Sequence, residues 1–176
     1  GSGIAGNLSL AQILFDDMRY LQPEAWIDWQ AMEEGNDQWC TVTGSFSRQS
    51  FRRVKNYYVR QQCSRFITHG YDIVTSLCNQ SLAAVNASRD TLVLVFLNEG
   101  TKVVHKVDLS SFDELPGKTV IKAYRTSGSE DMKQVYDYGI SNDQLLVTLP
   151  SQSITTLVIP VTMEHSPSAK LQDGSQ

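Results

Sequence analysis

The stretch Thr91-Leu92-Val93-Leu94-Val95-Phe96-Leu97 restricts this chain more than any other, because it is apolar at consecutive positions and rich in β-branched residues. A strand sends successive side chains to opposite faces, so a strand with one wet face alternates. This one does not alternate, and it must therefore lie at the centre of a sheet covered on both sides. It sits among six other short β-rich runs: Tyr71 to Thr75, Ser81 to Asn86, Lys102 to Leu109, Thr119 to Arg125, Leu145 to Leu149 and Ile154 to Val161. Turn clusters such as Asn98-Glu99-Gly100, Pro116-Gly117 and Ser141-Asn142-Asp143 separate them. Seven short runs with regular punctuation predict an antiparallel β-sandwich over residues 71–162. The polar stretch from Glu164 to Gln176 reads as a disordered tail occupying 163–176.

The first 70 residues follow other rules. Leu10, Ile13, Leu14, Met18 and Leu21 recur at helical spacing, with Asn7 or Ser9 available as N-cap and Pro23 beyond, so a helix is predicted from Ser9 to Leu21. Ala25-Trp26-Ile27-Asp28-Trp29-Gln30 reads as a short buried strand, and a helix leading into such a strand is an α/β signature. Ala31 to Gln49, rich in Gly, Asn, Ser and Thr, reads as a long loop after the strand's C-terminal end and is the main candidate site. A second helix is predicted from Ser50 to His69, with Ser50 as cap, Val59, Cys63, Phe66 and Ile67 on one face, and Gly70 as the left-handed terminator. These elements look like the end of a (β/α)8 barrel, which takes about 250 residues when complete. We therefore expect the first portion of that barrel to lie outside this chain. Left without it, the chain should associate through Leu10, Leu14, Met18 and the strand from Ala25 to Gln30.

Charge narrows the function. Asp16 to Asp37 holds seven acids and one base, whereas Arg48 to Arg65 holds six bases and no acid, so the two blocks should attract each other. A basic block of this kind can contact phosphates, but one strung along a helix beside an acidic segment argues against nucleic acid as partner. No apolar run approaches the roughly 18 residues of a membrane span. Cys40, Cys63 and Cys78 show no zinc spacing, His69, His105 and His165 fall in no triad pattern, and no glycine-rich phosphate loop is present, so neither metal nor cofactor is expected. Asn7, Asn79 and Asn86 each open an N-x-S triplet.

The string Ala25-Trp26-Ile27-Asp28-Trp29-Gln30, followed by Tyr57-Tyr58-Val59-Arg60-Gln61-Gln62-Cys63-Ser64-Arg65-Phe66-Ile67-Thr68-His69-Gly70, resembles the closing part of glycoside hydrolase family 30. In that family the eighth barrel strand carries a W-x-x-WQ-like or WN-like motif, and the eighth helix ends in S-[KR]-F-I-x-x-G before a sandwich begins. Leu149-Pro150-Ser151-Gln152-Ser153-Ile154-Thr155-Thr156-Leu157 is similar to that sandwich's final strand. The resemblance covers nearly all of the chain to Val161. It implies a barrel fragment over 1–70, the sandwich over 71–162, and a secreted, extracellular or periplasmic retaining glycosidase. It also implies an acid/base Glu after barrel strand four and a nucleophile Glu at the end of strand seven, about 5–5.5 Å apart. Gly1-Ser2-Gly3-Ile4-Ala5-Gly6-Asn7 looks like the loop just after that nucleophile, so the resemblance places no catalytic residue within this chain.

Among the residues present, Trp29 matches the strand-eight tryptophan that the family packs against the sugar in its innermost subsite. Gln30 would reach a sugar hydroxyl or hold the neighbouring loop, and Glu33, Glu34, Asn36 and Trp39 would stand at leaving-group subsites. Each has a plainer alternative. Either Trp26 or Trp29 would serve to fill a core, and strand alternation sends the two to opposite sides. Glu33 and Glu34 are adjacent and serve more readily as solvated loop acids than as an opposed pair. β-1,6-Galactan, β-1,6-glucan, glucosylceramide-type and xylan-type substrates all fall within the family. The competing reading is a non-catalytic carbohydrate-binding or protein-interaction sandwich, against which stands the position of all three tryptophans before Tyr71.

Overall fold

The structure, a computed structural model, describes residues 3–76, 78–112, 115, 121–136 and 138–162. In chain order its elements are α1 (Ile4–Asp16) with a π-helical turn (Asp17–Leu21), β1 (Met32–Glu34), β2 (Val42–Ser45), β3 (Ser50–Arg53) and α2 (Lys55–Ser64). There follow β4 (Asp72–Val74), β5 (Ser81–Val85), β6 (Thr91–Asn98), β7 (Val103–Asp108), β8 (Lys122–Ser127), β9 (Lys133–Val135), β10 (Ile140–Ser141), β11 (Gln144–Leu149) and β12 (Ser153–Pro160). All seven predicted β-runs contain a strand, and β9 and β10 join them. They form a six-stranded sheet in the order β4-β5-β6-β12-β8-β9 and a three-stranded sheet β10-β11-β7, antiparallel throughout. The turn Asn142-Asp143 has left-handed φ at both residues, the geometry that matches the strand twist in a two-residue hairpin. Pro116-Gly117 and the predicted tail lie outside the described residues.

The unbroken apolar run is explained by two cores. On one face of β6, Leu92, Leu94 and Phe96 meet Leu145, Val147 and Leu149 of β11 and Leu157 and Ile159 of β12 between the sheets. On the other face, Val93, Val95 and Leu97 meet Leu8, Ala11 and Phe15 of α1, Val59 and Cys63 of α2, and Ile154. The helices of the first 70 residues thus close the second face of the sandwich's larger sheet. Polar groups fasten this seam. Gln62, fully buried, donates to the Thr126 hydroxyl at 2.8 Å, and the Thr156 hydroxyl is shared between the Gln62 backbone carbonyl at 2.7 Å and its side-chain Oε1 at 2.6 Å. Arg19 donates to the carbonyls of Cys78, Asn79 and Ser81, and Gln12 to that of Asn79 at 3.1 Å, clipping the end of α1 to the β4–β5 connection.

Several expectations for the first 70 residues are corrected. α1 begins at Ile4, with Gly3 as N-cap and no side-chain cap, because the residues that bury it are Leu8, Ala11 and Phe15 rather than Leu10, Ile13 and Leu21. Leu14 and Met18 pack partly against this core, while Ile13, Tyr20 and Leu21 are exposed. Asn7 and Ser9 lie inside the helix, Asn7 buried with its amide on the Gly3 carbonyl at 2.7 Å. Ala25 to Gln30 is not the expected buried strand: it joins no ladder among the described residues, and Ala25, Ile27 and Trp29 are exposed. Ala31 to Gln49 is not one loop: β1 and β2 pair in parallel within it, and β3 adds antiparallel to β2. Ser50 therefore belongs to β3, and α2 starts after Val54 without a side-chain cap. Gly70 has φ +89°, but α2 has already ended at Ser64. The acidic and basic blocks do meet, through Asp28–Arg60 and through Asp37–Arg52 at 3.0 Å. No helix among the described residues is long and apolar enough to cross a membrane.

Phe15→Ala empties the middle of the helix-to-sheet core and should cost about 3–5 kcal/mol in urea or thermal unfolding. Glu130 accepts a two-pronged pair of bonds from Arg125 at 2.6 and 2.7 Å, with Ser127 and Lys133 close by. Bonding to Arg125, ahead of its charge, holds the carboxyl down at about 2. Because the folded value lies below the unfolded one, this stabilisation is present above the ordinary glutamate range and lost as pH falls toward 2. Glu130→Gln should therefore lower the melting temperature at pH 7, and the gap to the wild type should narrow between about pH 4.5 and 2. Finally, Tyr20 and Leu21 are each 71% exposed and Ile27 is 91% exposed. Light scattering of the isolated chain should give a mass that rises above 19.7 kDa with concentration, and Leu21→Lys with Ile27→Lys should suppress the rise.

Candidate functional site

The predicted site residues cluster around the segment that follows α1. Trp29 lies in a bend three residues after Trp26, and the Trp29–Gln30 peptide is cis. Its indole is 73% exposed. Gln30 N–H donates to the Trp39 carbonyl at 2.6 Å, and the Gln30 carbonyl accepts from Thr41 N–H at 3.2 Å. These bonds lead into the parallel pairing of β1 with β2, so Trp29, Gln30 and Trp39 are brought together by backbone geometry. Trp39 is itself 60% exposed. Accessible indoles on a segment that also carries half-buried Gln30 are residue types that a sugar can use, apolar C–H surface against rings and hydroxyls against amides.

Glu33 and Glu34 go separate ways, as neighbours on a strand must. Glu34 Oε1 accepts from Phe46 N–H at 2.7 Å, beyond the end of β2. Glu33 turns inward: one carboxylate oxygen is shut away from solvent without a hydrogen bond, and its carbonyl accepts from the Thr43 hydroxyl at 3.2 Å. Nearby Cys40 is buried, and its thiol is pushed up first by that burial and then by the charge of Glu33. Neither the exposure of Glu33 nor its partner set suits an acid/base residue facing a substrate. Asn36 is half-buried; its Oδ1 accepts from Gln38 N–H at 2.9 Å, and its carbonyl accepts from the Cys40 thiol. Asn36 opens onto a cavity of about 410 Å³ that Trp29 and Trp39 do not line.

That cavity holds residues that sequence reasoning passed over, Arg48, Phe51 and Arg52 among them. The sequence pattern predicts helix and loop for them, and their nearness to Asn36 comes from the β2–β3 hairpin. Gly44 is what lets this hairpin close: a Cβ there would meet the Ser50 carbonyl oxygen at 2.4 Å. The second residue missed is Arg60, whose side chain reaches from α2 to Asp28 and lies over the Trp26 ring at 5.7 Å. Trp26 is half-buried and donates through Nε1 to Asp17 at 2.9 Å, so it faces α1 and α2 while Trp29 faces outward. The opposite charges of Asp28 and Arg60 were the available signal.

No family model matches the sequence. Among curated proteins, an endo-β-1,6-galactanase from Hypocrea rufa is 26% identical over 163 residues, a match covering 90% of this chain and 34% of that protein. Among solved structures, the glycoside hydrolase family 30 subfamily 8 xylanase Xyn30A from Clostridium acetobutylicum superposes with a TM-score of 0.72 at 22% identity, covering 91% of this chain and 40% of its own. The catalytic domain of a family 30 xylanase C from Talaromyces cellulolyticus gives 0.70 at 15% identity, covering 89% and 35%. The chain thus spans about a third of the length of the curated relative and at most 40% of these two solved chains. Among the described residues its mixed fold, two α-helices, a π-helical turn and three mostly antiparallel sheets, is that of the C-terminal part of a family 30 glycoside hydrolase.

Proposed function

We propose that this chain is the C-terminal portion of a retaining β-glycosidase of the family 30 type, with Trp29 lining the innermost sugar subsite. The observation that carries the reading is an indole left largely in water in a segment that is held on either side of it, by the side chains of Trp26 and Asp28 and by the backbone of Gln30. Trp26 is bonded to Asp17, Asp28 to Arg60, and Gln30 to Trp39, yet Trp29 is free to present its face. In this reading Gln30 holds the neighbouring loop through its backbone, and Trp39 and Asn36 contribute further out. The two carboxylates that flank the anomeric carbon come from the rest of the barrel, one protonating the leaving oxygen and the other forming the glycosyl-enzyme bond. Glu33 and Glu34 do not replace them, because one is turned inward and the other is bonded to the β2–β3 hairpin.

The substrate class is a β-linked polysaccharide or glycoconjugate. The galactanase relative makes β-1,6-galactan the first to test, with xylan second on the strength of the structural neighbours. Such a polymer is met outside the cell or in the periplasm, the compartment we assign. The larger sheet and its helices act as a brace on which the last barrel elements are set.

The test pairs this chain with the preceding barrel sequence in one longer polypeptide and measures release of reducing ends. The isolated chain should release none. In the longer polypeptide Trp29→Ala should lower kcat/KM at least about tenfold, equivalent to about 1.4 kcal/mol of transition-state stabilisation, with an unchanged melting temperature. Unchanged kinetics would remove Trp29 from the site.

A further inference from the structure

We infer that Arg60 is the positioning residue for Trp29, fixing the otherwise unladdered segment from Trp26 to Gln30 through Asp28 and the Trp26 ring; the inference rests on the reading of Trp29 as the sugar-facing indole. Among the described residues no strand pairs with this segment, so its shape is not set by sheet hydrogen bonds. Backbone bonds to Trp39 and Thr41 hold its Gln30 end, and what sets the run before it is side-chain chemistry arriving from α2. Arg60 Nε donates to Asn56 Oδ1 at 3.0 Å, one helical turn earlier, which fixes the plane of the guanidinium. Asn56 is in turn buried and donates to the Cys40 carbonyl at 3.3 Å, linking the same helix to the strand that follows Trp39. The guanidinium then pairs with the Asp28 carboxylate and lies over the Trp26 indole, which Asp17 holds by its Nε1.

The side chains of Arg60 and Asp28 are only 23% and 19% exposed, so the pair is screened far less than a surface pair. Removing one partner leaves the other charge in a site with little water. The arrangement also requires the planar fork of arginine: one group donates to an amide, pairs with a carboxylate and covers a ring, and a lysine ammonium on its flexible stem does not do all three. Since Trp29 directly follows Asp28, a fixed Asp28 fixes the backbone from which the indole projects. Burial presses against the charge of Arg60, and Asp28 supplies the compensating carboxylate.

The deciding measurement is amide hydrogen exchange by mass spectrometry on this chain, comparing a peptide spanning 25–30 with peptides from β6 and β12. Arg60→Met should speed exchange over 25–30 at least tenfold with β6 and β12 unchanged, Asp28→Asn should do so more mildly, and Arg60→Lys should restore only part of the protection. Equal exchange over 25–30 in wild type, Arg60→Met and Asp28→Asn would overturn the inference. So would a rise shared equally with β6 and β12, which would mark a merely structural role. The companion measurement is kinetic, in the longer polypeptide on β-1,6-galactan: Arg60→Met should raise KM and lower kcat/KM about tenfold, with part of the loss recovered in Arg60→Lys. If Trp29→Ala leaves turnover intact while Arg60→Met loosens the segment, the subsite reading fails and the positioning role stands. If Trp29→Ala lowers turnover and Arg60→Met leaves the segment protected, the positioning role fails alone.

Discussion

The fold depends on the double coverage of one sheet. β6 and β12 are apolar on both faces, and a sheet of that kind is stable only as the middle layer of three. The small sheet covers one side and α1 with α2 the other, so the two helices are a structural requirement of the sandwich. Everything at the candidate site inherits its position from that requirement, because α2 is held on the sheet by the side chains that face it.

α2 shows how a short helix serves two surfaces. Val59, Gln62 and Cys63 face the sheet, and Cys63 is buried deeply enough that its thiol is pushed up to about 12, which keeps it protonated and inert. Asn56 and Arg60, one turn apart, face the segment carrying Trp29. The Gln62 network matters here because it is fully satisfied: Thr126 also donates to the Tyr58 carbonyl and accepts from Met132 N–H, so no member is left without a partner. Buried polar groups satisfied in this way select one register of helix on sheet, where apolar packing alone would allow sliding. The register in turn decides where Arg60 points.

Legibility in the sequence followed the range of the interactions. The strands of the sandwich were readable because their signals are local: alternation in β7 and β11, a continuous apolar run in β6, and turn residues between. The region from Ala25 to Arg53 was not, since its pairings carry weak local signals. β1 to β3 are short and polar, with β3 exposed along its length, and nothing in Ser50-Phe51-Arg52-Arg53 announces an edge strand. Helix starts were misplaced at Ser9 and Ser50 because both helices lack the side-chain cap that sequence reading relies on. At the candidate site, the opposed settings of Trp26 and Trp29 were legible, one half-buried and the other exposed. The inward turn of Glu33 was not, since it depends on the β1–β2 pairing and on buried Cys40.

The position of β12 bears on how such a chain is made. It is the last described strand to leave the ribosome, yet it sits between β6 and β8, and Thr156 on it donates to Gln62 of α2 across 94 positions of sequence. Until residue 160 has emerged, β6 has β5 on one side only, β8 has only β9, and both helices wait beside an incomplete surface. The nascent chain therefore carries exposed apolar strands through most of its synthesis, in the state most prone to pair with another copy. For this architecture, protection during translation is as much a condition of folding as the final packing itself.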